Sequence, residues 1–192
     1  MSGTYPTSPG FTSVGFTSRE YNLSSTSLSG RIQVRSLGSQ RFEFTASYPP
    51  MARSDFLPVL AFIASQRGMA ETFTIVLPDI SENSGTASGS IVANGAGAIG
   101  DTSIAVDGIT GILKAGSVFK FAGHSKVYMV VADRDGVGTL NFIPALTAAV
   151  ADNQALVYDN VPFTVRLAND VQEFAVNTNL HYSYEVDLIE AI

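Results

Sequence analysis

Cysteine and tryptophan are both absent from this chain. Without cysteine there are no disulfides, thiolate metal sites or thiol nucleophiles. Charge is scarce as well. Only 15% of residues are Asp, Glu, Lys or Arg, against about a quarter in an ordinary soluble domain. A surface so poor in charge is expected where partners cover part of it. No stretch approaches the ~18 uninterrupted apolar residues that a membrane-spanning helix needs. Met1–Gly10 is rich in Ser, Thr, Pro and Gly and has no apolar run, so it does not read as a signal peptide.

What is present suffices for a core. Of 192 residues, 45% are hydrophobic, which argues against global disorder. The charge is unevenly placed. Residues 1–70 hold six arginines (Arg19, Arg31, Arg35, Arg41, Arg53, Arg67) against three acids, whereas the remainder holds five cations against fourteen acids. A basic part and an acidic part on one chain suit head-to-tail or stacked self-association, although ordinary surface scatter gives the same sums. The net charge of −6 argues against tight nucleic-acid binding by counterion release.

The pattern along the chain is mostly that of strands. Arg31–Arg35 is short and β-prone. Gln40–Ser47 alternates, with Phe42, Phe44 and Ala46 on one face and Arg41, Glu43 and Thr45 on the other. Pro49-Pro50 ends that strand, because proline cannot donate to a ladder. Ser54 and Asp55 offer N-cap chemistry, and Phe56, Val59, Leu60 and Ile63 mark one face of a helix over about 54–67. Pro58 falls in its first turn and Gly68 where a C-terminal cap belongs. Phe73–Leu77 reads as a strand. Phe11, Phe16, Tyr21 and the Ser/Thr-rich stretch to Ser29 alternate little. They read either as an arm that orders on a neighbour or as a loop on the protein's own core.

Composition changes at Asp79, and from Thr102 to about Tyr158 the chain reads as short strands separated by turn dipeptides such as Asp107-Gly108 and Asp135-Gly136. Many short, closely spaced strands predict a small barrel. All three lysines (Lys114, Lys120, Lys126) fall in this stretch, as expected of a separate inserted module. Long strands then return: Phe163–Leu167, Val171–Val176 after a tight turn at Ala168-Asn169-Asp170, and His181–Ile189. In the last, Tyr182, Tyr184, Val186 and Leu188 alternate with His181, Ser183, Glu185 and Asp187, the pattern of a sheet with one buried face. The expected fold is mostly β. Residues 1–80 and 160–192 form a discontinuous β-sandwich or tube-like sheet with one flanking helix, and residues 88–160 form a small inserted β-barrel.

Motifs that would carry chemistry are weak. Gly95-Ala-Gly97-Ala-Ile-Gly100 matches a dinucleotide fingerprint but is followed by a strand, and so reads as an inter-domain linker. Asp133-Arg134-Asp135-Gly136 lacks the distal glutamate of a calcium loop and reads as a hairpin turn. His124 and His181 lie far apart in sequence, and neither has metal-ligand spacing to other donors. Glu185, Asp187 and Glu190 read as one solvated or interface face. No enzyme, cofactor or metal site is expected.

The run Arg31-Ile-Gln-Val-Arg35, Gln40-Arg-Phe-Glu-Phe-Thr45, Tyr48-Pro-Pro-Met51, Asp55-Phe56 and Phe73-Thr-Ile-Val-Leu-Pro78 resembles structural proteins of long-tailed bacteriophages, in which a β-sandwich with a flanking helix builds distal-tail and tail-tube rings. Gly100–Val106, Leu113–Phe119, Gly123–Tyr128 and Leu140–Pro144 resemble the small β-barrel inserted in phage capsid and tail proteins. The resemblance implies a homohexameric ring in a virion tail or baseplate. Its partners would be sister copies, the tail-tube protein and tail-hub or other baseplate proteins, with no membrane and no stably bound nucleic acid. Many distal-tail proteins carry a second, galectin-like domain at the C-terminus, whereas this sequence ends on its last long strand. Within this reading, Arg31, Arg35, Arg41 and Arg53 are candidate inter-subunit contacts to Glu185 and Asp187 of a neighbour. An alternative of another class is a carbohydrate- or receptor-binding module, with Tyr128 and Tyr158 the only tyrosines of the insert.

Overall fold

The computed structural model describes residues 3–192; Met1 and Ser2, where the first sequence-defined unit begins, lie outside them. The elements run β1 (Ser13–Thr26), β2 (Ile32–Ser47), α1 (Arg53–Ser65), a 3₁₀ turn (Gly68–Ala70) and β3 (Phe73–Ile75). There follow β4 (Val92–Ala93), β5 (Ser103–Asp107), β6 (Ile112–Leu113), β7 (Val118–Phe121), β8 (Tyr128–Val130), β9 (Arg134–Asp135), β10 (Gly138–Ile143) and β11 (Leu156–Val157). The chain closes with β12 (Phe163–Leu167), β13 (Phe174–Val176) and β14 (Tyr182–Glu190). The protein is mostly β with one helix, as its patterning predicts.

Elements from the two ends of the chain share one sheet, in the order β1-β2-β14-β12-β3, with β13 also paired to β14. Alternation gives this sheet one apolar and one wet face. Phe42, Phe44, Ala46, Val186, Leu188, Val165, Leu167, Phe163, Phe73 and Ile75 are buried on one side. The other side carries Arg41, Glu43, Thr45, Glu185, Asp187 and Arg166.

Two different layers cover the apolar face, where a sandwich would place a second sheet. One is α1, which buries Phe56, Val59 and Ile63. Phe56 stacks on Tyr182 at 4.8 Å and Phe62 meets Phe73 edge-on at 5.2 Å. The other is the barrel, whose Val118 and Val127 are buried in the same cluster as Phe42 and Phe44. The helix starts one residue earlier and stops two earlier than its periodicity suggests. Its N-cap is Ala52, without a side-chain cap; Ser54 and Asp55 lie in the first turn and do not cap it.

The second sheet runs β11-β7-β8-β10-β5-β4. It nearly closes on itself, because the chain around β4 hydrogen-bonds to the chain around β11: Ala93 N–H to Gln154 O and Leu156 N–H to Ile91 O, both 2.9 Å. Its own core contains Phe119, Phe121, Tyr128, Leu140 and Phe142. The glycine run expected to be a linker is stitched into this barrel, since Gly97 and Val150 exchange backbone hydrogen bonds at 2.9 Å.

Two strand expectations are corrected. The stretch to Ser29 is neither a loose arm nor a loop. Its first part is strand β1, paired with β2 from Ser13↔Ser47 to Thr26↔Ile32. Ala168-Asn169-Asp170 is not a tight turn between two neighbouring strands either. Leu167 pairs with Leu188 and Phe174 with Tyr184, so β12 and β13 lie end to end along β14, and residues 169–173 loop out between them.

Candidate functional site

β1 and β2 span 14 and 16 residues, and only their inner halves touch the core. Beyond Gln40 every residue of the hairpin is exposed on both strands. Rising ~3.3 Å per residue, this outer half projects roughly 25 Å. It carries aliphatic side chains into solvent: Leu23, Leu28, Ile32, Val34 and Leu37 are all more than half exposed. A two-stranded hairpin of this kind is marginal alone in water. Among the described residues nothing pairs with the outer edge of β1, whereas the opposite margin of the sheet, at β3, is covered by the N-terminal segment through Tyr5 N–H to Thr74 O (2.8 Å) and Thr74 N–H to Gly3 O (2.9 Å). One edge is closed and the other is open.

At the other end of the sheet lies a polar hollow of about 590 Å³, lined by Asp170, Val171, Glu173, Glu185 and Asp187 among others. A second hollow of about 390 Å³ shares Glu173 and Glu185 with it and adds Phe174, Ala175 and Ser183. The carboxylates are held by neutral donors: Thr45 Oγ1 donates to Asp187 and Ser47 Oγ to Glu185, both at 2.7 Å, and Met69 N–H donates to Asp170 at 2.9 Å. No cation is among the residues lining either hollow.

The sequence-selected contact residues separate into groups. Arg31 and Arg35 sit on the exposed outer hairpin and Arg53 at the exposed start of α1. Arg41 donates to Glu43 at 3.2 Å and lies over the Tyr21 ring, and Arg19 also pairs with Glu43 at 2.7 Å. Glu185 and Asp187 share the wet face of the sheet. Glu190, expected beside them, points the opposite way into the core and is 3% exposed.

Glu190 belongs to a junction that patterning did not reveal. Its carboxylate takes the Lys126 ammonium at 2.5 Å, the Phe42 N–H at 3.1 Å and the Val127 N–H at 2.9 Å. Lys126 also donates to Gln40 Oε1 at 2.7 Å and Gln40 O at 3.0 Å, and it lies over the Phe42 ring. Burial pushes the Lys126 pKa below the ordinary lysine range, and Glu190 opposes that shift. The group fastens the barrel to the sheet. Charged residues at two distant points of a sequence carry no mark that they will meet, so only the unusual position of lysine at the start of an apolar strand hinted at it.

The remaining candidates are structural. Asp133 accepts the Ala115 N–H at 2.8 Å, and Arg134–Asp135 pairs with β6. Tyr128 is fully buried, and Tyr158 donates to Gly89 O at 2.9 Å; neither offers the bare ring that a sugar platform needs. Among the described residues no cluster of His, Asp and Glu fits a metal ion, and no helix is long and apolar enough to cross a membrane. The chain matches no protein-family model and no curated protein.

Proposed function

We propose that this chain is a non-enzymatic structural subunit that assembles with copies of itself into a ring, as a distal-tail-like or tube-like part of a bacteriophage tail or baseplate. The observation that carries the reading is the outer β1–β2 hairpin, with its row of bare aliphatic side chains and its open strand edge. A long unpaired edge is a template for another strand, and closing a ring of sister copies removes it. The low charge content and the covered opposite edge fit the same reading, and the phage assignment rests on the sequence resemblance. The site in this reading is the hairpin margin, with Arg31 and Arg35 on it. No catalytic group or cofactor is invoked. The net negative charge suits a ring through which DNA passes without sticking.

The test compares the full chain with one in which residues 21–37 are replaced by a two-residue Asn-Gly turn. Native mass spectrometry of the full chain at high concentration is expected to give a discrete multiple of the protomer, a hexamer in the distal-tail reading. The shortened chain is expected to be monomeric, with a thermal midpoint close to that of the full chain, because the removed residues bury nothing in the protomer. A full chain that stays monomeric at every concentration would falsify the reading.

A further inference from the structure

We infer that the tip of the β1–β2 hairpin of one copy seats in the paired hollows beside β13 and β14 of a second copy, so that copies follow one another head to tail along the strand direction. The inference rests on the self-assembly reading and names its second contact, distinct from the lateral pairing of the β1 edge.

The argument begins with direction. β2 runs from Ile32 at the hairpin end to Ser47, and Ser47 pairs with Glu185. The hairpin tip and the hollows therefore lie at opposite ends of one sheet. At ~3.3 Å per residue, Arg31 and Ser47 are roughly 50 Å apart, and an antiparallel strand pair does not fold back on itself. A protomer's own hairpin cannot fill its own hollow, so a second copy must supply the occupant.

Chemistry selects the same pair of surfaces. From Tyr21 to Ser39 the hairpin carries Arg31 and Arg35 and no acid. The hollows present Asp170, Glu173, Glu185 and Asp187 and no cation. Arg41 is already paired with Glu43, which leaves Arg31 and Arg35 as the arginines of the hairpin tip. Apolar surface is matched as well. Leu28, Ile32 and Val34 are bare on the hairpin, and Val171, Phe174 and Val176 are bare around the hollows. Arginine forks bind carboxylates in two-point geometry, and burying both apolar sets on contact adds a non-directional attraction. A contact between two different patches is heterologous. It repeats from copy to copy, and with a lateral ring contact it stacks rings into a tube.

The absence of cysteine makes the test clean. A chain carrying Ser29→Cys at the hairpin tip and Ala175→Cys in the hollow has those two thiols alone. Mild oxidation of the assembled protein is expected to give a ladder of covalent dimers, trimers and higher species on a non-reducing gel. The ladder is expected to vanish when Arg31→Glu and Arg35→Glu are added and to survive Arg31→Lys with Arg35→Lys. Particles of normal mass that give no ladder overturn this contact and leave the ring reading standing. A ladder untouched by the Glu variants overturns the charge-matched docking. A chain that is monomeric by native mass overturns both readings.

Discussion

Lys126 and Glu190 show how one residue pair can decide whether two parts of a chain stay together. Their side chains are 1% and 0% exposed, so each ion has lost its water and depends on the other and on Gln40, Phe42 and Val127 for compensation. Removing one partner strands the other charge in the core, a change that typically costs ~3–5 kcal/mol. Replacing both with apolar side chains of similar volume removes the need for compensation. Lys126→Ala is therefore expected to lower the urea midpoint steeply, while the Lys126→Met, Glu190→Leu double variant recovers most of the loss. Equal losses in the two variants would show that the ion pair itself holds the barrel on.

Among the elements, α1 illustrates a boundary set by tertiary contacts. Its periodic face is legible in Phe56, Val59 and Ile63, all of which are buried. Where it stops depends on a reversal at Arg67 and Gly68, both left-handed, with φ of 54° and 66°. A Cβ at Gly68 would lie 2.4 Å from Asp170 Oδ1 and 3.1 Å from the Asp170 Cα, which is the backbone of the loop between β12 and β13. Gly68→Ala meets both a disfavoured φ and a clash, and is expected to destabilise by more than ~1 kcal/mol in chemical denaturation. Because Asp170 lines the acidic hollow, the same variant is expected to disturb that hollow, whereas alanine at the open turn residue Gly10 changes neither.

For the molecule as a whole, the barrel and the sheet depend on each other unequally. The barrel closes around its own core of Phe119, Phe121, Tyr128, Leu140 and Phe142. The sheet relies on the barrel for part of its cover, through Val118, Val127 and the Lys126 junction. Residues 82–160 expressed alone are expected to fold with dispersed amide resonances. The remainder, rejoined by a short flexible linker, is expected to bind a hydrophobic dye and melt at a lower temperature, because the Phe16 and Phe42 side of the sheet is left bare. A remainder as stable as the intact chain would show that the barrel is only a passenger on the sheet.

The sequence by itself determined which residues face inward. The period-2 alternation of β2 and β14 and the helical spacing of α1 place apolar side chains on single faces, and burial follows because apolar surface leaves water wherever the backbone allows it. It also determined the mostly-β class through closely spaced turn residues in the middle of the chain. Only the tertiary structure decided which strands are neighbours, and with it that residues 169–173 loop out of a strand, that Glu190 turns inward to meet Lys126, and that the outer β1–β2 hairpin stands clear of the protomer. Those outcomes depend on contacts between residues far apart in the chain, and local spacing carries no record of a partner that distant.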